Sequence, residues 1–160
     1  MKKIGFIGAG NMAGAIIGGI IKSNLVESQN VIASAKTMTN LNKLKDEYNI
    51  NVTLDAREVV KNSDIVFMAV KPNIFDGVLE GVKDLIGDGK IVVSIAAGKS
   101  ISSMENIIGD DKKIIRTMPN TPALVNEGMS ALCPNKNIED ETKQIHHILL
   151  YGILTNSRTI

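Results

Sequence analysis

Six residues near the start of the chain, Gly8-Ala9-Gly10-Asn11-Met12-Ala13, constrain the fold more than any other segment. They follow a short apolar strand at Lys3–Ile7 and open a helix at Asn11–Lys22, with a second strand at Val31–Ser34 about twenty residues on. Gly8-x-Gly10-x-x-Ala13 is a weak signal alone; between a strand and a helix it is the dinucleotide-binding turn of a βαβ unit. Gly8 permits the tight turn, Gly10 lets backbone approach a pyrophosphate, and Ala13 allows the helix to pack close to its strand. The first N–H groups of the helix, near Asn11 and Met12, then face the phosphates at its positive end.

The rest of the chain repeats the alternation. Strands are expected at Asn51–Leu54, Asp64–Val70, Lys90–Ala96 and Lys113–Thr117. Helices are expected from a Thr39 or Asn40 cap to Tyr48, at Ala56–Lys61, at Asn73–Ile86 and from Ser100 or Ser102 to Ile108. The run Ile65-Val66-Phe67-Met68-Ala69-Val70 has no polar member, as in a strand buried on both faces. Such a series predicts an α/β fold: a Rossmann-like, doubly wound, mostly parallel sheet. A final helix is expected over Asn135–Tyr151, with Asn137 as cap, acids in its first turn, and Gly152 ending it.

Composition narrows the function. The chain has 160 residues, 44% hydrophobic, with net charge +1 and 3% aromatics. Enough core can be buried without metals or disulfides, and neither nucleic acid nor an anionic membrane surface is favoured as a partner. Lys2-Lys3 ahead of the uncharged run Ile4–Ile21 superficially resembles a signal peptide, yet Gly5, Gly8 and Gly10 break it before a helix can nucleate. Cys133 is the sole cysteine, read as a buried thiol in a cytoplasmic protein. His146-His147 are adjacent and point to different sides of a helix, so no metal site is expected.

Ligands of open α/β sheets bind outside the carboxyl ends of the strands. The tip of the second strand, Ala33-Ser34-Ala35-Lys36-Thr37, has no acid for a ribose 2′-hydroxyl. The hydroxyls of Ser34 and Thr37 with the Lys36 ammonium suit a 2′-phosphate, favouring NADP, with NAD still possible. Three further strand ends carry unusual residues: Ala69-Val70-Lys71-Pro72, Ser94-Ile95-Ala96-Ala97-Gly98 and Thr117-Met118-Pro119-Asn120-Thr121-Pro122. The small residues of the second would admit a nicotinamide ring against backbone.

Taken in order and spacing, Ile4–Ala13, Ala69–Pro72, Val93–Gly98, Met118–Ala123 and Glu127-Gly128-Met129 resemble pyrroline-5-carboxylate reductase. The resemblance implies NADPH-dependent reduction of 1-pyrroline-5-carboxylate, an imine, to L-proline, the last step of proline biosynthesis. It also implies cofactor contacts at Phe6, Ile7, Gly8, Ala9, Gly10, Asn11, Met12, Ser34, Lys36, Thr37, Ala69, Val70, Lys71 and Pro72. Ala96 and Ala97 would lie near the nicotinamide, and Asn120 near the substrate. No general acid is identified. The family often places Asn after the third strand, where this chain has Asp55-Ala56.

The family continues into an all-helical second domain, with a Ser-Gly-Ser-Gly-Pro motif and a Ser-Pro-Gly-Gly segment, that binds most of the substrate and forms homo-oligomers. That domain is absent from this sequence. Residues 1–152 are therefore expected to form the NAD(P)-binding domain, and 153–160 a truncated or frame-shifted tail. Two alternatives stand beside the reductase: a non-catalytic NADP-binding remnant of it, and another imine or hydroxyacid reductase of this fold.

Overall fold

The computed structural model describes residues 2–118, 131–141, 143–145, 147 and 148. Its strands are β1 (Ile4–Ile7), β2 (Val31–Ser34), β3 (Asn51–Thr53), β4 (Ile65–Met68), β5 (Ile91–Ser94), β6 (Lys113–Met118) and β7 (Ala131–Pro134). Between them run α1 (Asn11–Lys22), α2 (Met38–Tyr48), α3 (Ala56–Lys61), α4 (Pro72–Val82) and α5 (Ile101–Ile108), with 3₁₀ turns at Ser28–Asn30 and Lys83–Leu85. They form one sheet ordered β3-β2-β1-β4-β5-β6-β7. All pairs are parallel except β6 with β7. The order reverses between β1 and β4, which is where a sheet of this kind opens a crevice.

The apolar strands feed two cores. Ile4, Phe6, Ile65, Phe67, Ile91, Val93 and Ile115 pack on one face with α1 and α2. Ile145 and Ile148, from the helical residues that follow 140, close the same core. On the other face Ile7, Val66, Met68, Val92 and Ile114 meet α3, α4 and α5. Adjacent strand residues alternate between the two, so the central strands are apolar except for Ser34 and Ser94 at their carboxyl ends.

Local chemistry sets the helix ends. Asp55 Oδ1 accepts from the Arg57 N–H at 2.8 Å to start α3, and Ser100 Oγ accepts from the Ser103 N–H at 3.1 Å to start α5. Pro72 opens α4 at a position whose N–H would be unused. Asn49, left-handed at φ 56°, ends α2. On α1 a Cβ at Gly18 would press into the Tyr48 ring, so glycine is what lets α2 lie so close. Burial first, then Glu47, pushes the Tyr48 phenol up to about 12.

Five expectations need correction. The Asn135–Asn137 segment is a turn rather than the first turn of a helix; among the described residues helix resumes at 141. Asn137 does not cap it: its side-chain amide donates to the Asp110 and Lys112 carbonyls at 2.7 and 2.8 Å. α2 begins after Thr37, ahead of Thr39 and Asn40. Cys133 is exposed, because it lies on β7, an antiparallel edge strand unforeseen in the sequence. The strands are also shorter than the apolar runs that announce them, β4 ending at Met68 rather than Val70.

Gly152 and the 153–160 tail lie outside the described residues. Among those described, no helix is long and apolar enough to cross a membrane.

Candidate cofactor site

The carboxyl ends of β1, β2 and β4 are laced by backbone. The Gly8 N–H donates to the Ser34 carbonyl and the Ala69 N–H to the Ile7 carbonyl, both at 2.8 Å. Gly8 turns the chain at φ 114°, a conformation side chains rarely adopt, and a Cβ there would be driven into the Ala69 carbonyl. Glycine at 8 is thus a requirement of the fold.

Gly10 differs. Its backbone is extended at φ −78°, and a Cβ there would meet nothing within 4 Å. Neither strain nor internal packing requires a glycine, and the space beside it is open. Gly10 caps α1 without a side-chain hydrogen bond, and the first helical turn has no acid. The N–H groups of that turn and the helix dipole are left to face an anion.

Above these strand ends lies a cleft of about 510 Å³. Of the residues expected at a cofactor, Ile7, Gly8, Gly10, Ser34, Lys36, Ala69, Val70 and Lys71 line it. The other expected residues lie outside its wall. The Phe6 side chain is fully buried, stacked on Phe67 with centroids 4.9 Å apart. Ala9 is also buried and Met12 packs against the core, while Asn11, Thr37 and Pro72 are exposed helix-end residues. Ala96 is buried and Ala97 exposed in the β5–α5 turn. Asn120 is outside the described residues.

Ala35, Leu54, Ala56, Asn73, Ile74 and Val78 complete the wall. Ala56 stands where the family often has Asn, and Leu54, Asn73, Ile74 and Val78 were not foreseen. Leu54 is 59% exposed, an apolar side chain left at the tip of β3, and Ile74 and Val78 are one turn apart on α4. That spacing, read with the apolar residue after β3, was the available signal. Together they give the cleft an apolar flank suited to a flat ring.

Electrostatically the lining has two cations, the exposed Lys36 and Lys71, and no acid. Ser34 is only 2% exposed, so Lys36 is the accessible polar side chain that the tip of β2 presents to the cleft. Lys99, by contrast, is spoken for: it pairs with Asp76 at 3.1 Å and lies over the Phe75 ring, fastening the β5–α5 turn to α4. The site can hold a polyanion with a flat apolar end, as a dinucleotide phosphate has.

Comparisons with known proteins agree with this geometry. The pyrroline-5-carboxylate reductase of Escherichia coli K12 is 44% identical over 140 residues, 88% of this chain and 52% of that protein. A solved pyrroline-5-carboxylate reductase from Coxiella burnetii superposes with a TM-score of 0.88 at 30% identity, covering 95% of this chain and 56% of that one. The Plasmodium falciparum pyrroline carboxylate reductase, solved with NADP bound, gives 0.80 at 31% identity, over 95% and 55% of the two chains. The resemblance seen in the motifs therefore extends along most of the sequence, while the chain spans about half the length of the curated relatives it matches. Residues 3–98 match the family model described as NADP oxidoreductase, coenzyme F420-dependent, and the chain belongs to that family.

Proposed function

We propose that this chain grips NADPH and supplies the cofactor-holding part of an enzyme that reduces 1-pyrroline-5-carboxylate to L-proline. The observation that carries the reading is Gly10, a glycine that the chain's own packing does not need, opening onto a cleft lined by two lysines and no acid. The name of the E. coli relative and the bound NADP of the P. falciparum one support it.

In this reading the backbone of Gly8–Gly10 and the α1 N-terminus take the pyrophosphate. Lys36, with Ser34 beneath it, takes the 2′-phosphate, and Leu54, Ile74 and Val78 flank the adenine. Lys71 adds a second positive charge at the end of β4. The Ala96-Ala97 turn leaves room for the nicotinamide, which when bound supplies a hydride to the imine carbon. The imine nitrogen gains one proton, so that one NADPH and one proton are consumed per amine formed.

Fluorescence titration of the purified chain with NADPH and NADH tests the grip. NADPH should bind more tightly, and Lys36→Ala should weaken NADPH by about tenfold while leaving NADH unchanged, since a charge-assisted phosphate contact is worth roughly 1.5–3 kcal/mol. Equal affinity for the two nucleotides would overturn the NADP assignment. Oxidation of NADPH dependent on added pyrroline-5-carboxylate tests the reduction. Tight NADPH binding without turnover would restrict the chain to cofactor binding.

A further inference from the structure

The turn after β5, residues 95–100, receives the nicotinamide in the reading above, and little of its own backbone holds it. The Ile95 N–H donates to the Met68 carbonyl and the Ala96 N–H to the Ser94 hydroxyl, each at 3.3 Å. Beyond Ala96, no backbone hydrogen bond from residues 97–99 to another element is found among the described residues. Gly98 sits at φ 74°, and a Cβ there would meet nothing within 4 Å, so neither a side chain nor a neighbour braces the turn at that point.

The tie comes from the next residue. Lys99 pairs with Asp76 on α4 at 3.1 Å, and its ammonium stands 5.8 Å from the centroid of the Phe75 ring. An ion pair in open water would add little. This one is covered at its cationic end: the Lys99 side chain is 19% exposed, against 59% for Asp76. An ammonium so covered, with a carboxylate and a ring face for partners, is held more firmly than a surface lysine. α4 is the shared element. Its Ile74 and Val78 line the cleft, Phe75 is fully buried, and Asp76 faces out to Lys99. Lys99 itself does not line the cleft, so it acts on a ligand there only through the turn it fastens.

We infer that the Lys99–Asp76 pair is a clasp that holds residues 96–98 in place against the nicotinamide, which makes Lys99 a positioning residue for hydride transfer. This rests on the NADPH reading above. Hydride passes only between closely placed atoms, and a misplacement of about 1 Å in such a geometry can cost on the order of a hundredfold in rate. The phosphate and adenine end, at Gly8, Gly10, Lys36 and Leu54, belongs to other strands and does not depend on the clasp.

Two ligands separate the ends of the cofactor: NADP⁺, and 2′-phospho-ADP-ribose, which lacks the nicotinamide. Calorimetric titration of the whole chain should show NADP⁺ binding more tightly, the margin being the nicotinamide's share. Lys99→Met, which keeps an apolar side chain of similar length and removes the charge, should weaken NADP⁺ by about fivefold and leave 2′-phospho-ADP-ribose unchanged. Asp76→Asn should do the same, and Lys99→Arg should restore the parent affinity. The emission of bound NADPH is a second readout: at saturation in Lys99→Met it should move towards that of the free nucleotide, as the ring loses its fixed seat. A role in stability alone would lower the melting temperature and change neither signature in the folded chain. The inference is overturned if the parent binds the two ligands equally, or if Lys99→Met weakens both alike or neither. A parent chain that binds neither ligand would sink the proposed function, and the clasp with it. If Lys99→Met does not fold, Asp76→Asn, a change at an exposed carboxylate, still decides.

Discussion

The two ends of the sheet are built on opposite terms. At the amino ends of the strands, most polar groups find partners within the chain, the buried Ser63 hydroxyl being an exception. The Lys3 N–H donates to Asp64 Oδ2 and the Asp64 N–H to the Lys3 carbonyl, each at 2.8 Å. The Asn51 amide bridges the Gln29 and Val31 carbonyls, and the Lys90 ammonium meets the Ser63 carbonyl at 2.7 Å. At the carboxyl ends the chain leaves Lys36 and Lys71 around a cleft, the Arg116 Nε without a hydrogen-bond partner among the described residues, and open space beside Gly10. Both ends are rich in polar residues; the difference is whether the chain consumes them itself. Satisfied groups fasten the fold, and unsatisfied ones are available to a ligand.

The sharpest test of that division sets Gly8 against Gly10, two residues apart. Gly8→Ala must bear a φ of 114° and a collision with the Ala69 carbonyl. It should lose roughly 3 kcal/mol or more in urea unfolding, with NADPH binding lost alongside. Gly10→Ala should change stability by no more than about 1 kcal/mol, as for a weaker helix cap. Its NADPH affinity should nonetheless fall by about tenfold, because the added methyl occupies room meant for the pyrophosphate. If Gly10→Ala binds NADPH like the parent chain, the space beside it is not a ligand space and the contrast collapses.

Asn135 is the mirror case at the amino ends. It is 7% exposed, and its side chain accepts from the Ile114 and Asn137 N–H groups while donating to the Lys112 carbonyl and Glu105. Asn135→Ala should cost about 2–3 kcal/mol, since it strands several of these groups at once. NADPH affinity should be unaltered in the folded fraction. A fall in affinity matching the fall in stability would mean that the two ends of the sheet are coupled rather than separate.

How much of this was readable follows the same line. The glycine turn, the apolar central strands and the acid-free tip at Ser34–Thr37 were legible because each obeys a local rule of backbone or periodicity. The far end of the sheet was not. β7 is four residues long and contains a proline and a cysteine, too short for a period to emerge. Asn135–Glu141 mimics a capped helix start because asparagines and acids serve turns as well as caps. The Leu54, Ile74 and Val78 wall unites two elements that no local pattern joins.

The smallest expected effect concerns Glu141, which ties the helical residues after 140 to β6. Its carboxylate pairs with the Lys113 ammonium and also accepts from the Glu139 N–H at 3.0 Å. Lys113 first, then backbone N–H groups, hold the Glu141 carboxyl down to about 2, from an ordinary 4.5. Because the folded value lies below the unfolded one, the pair's stabilisation is fully present above the ordinary carboxylate range and fades as pH falls towards 2. Lys113 is shifted upward by the same partner, so its share is retained at neutral pH and is lost only on the alkaline side of its ordinary 10.5. Urea midpoints measured from neutral pH downward should therefore fall more steeply for the parent chain than for Glu141→Gln, which has no proton to take up there. NADPH affinity at neutral pH should be the same for both, since the pair lies at the amino end of β6 and the cleft at the opposite rim. Parallel acid profiles would show that the Lys113–Glu141 contact adds nothing measurable, as many partly exposed pairs do.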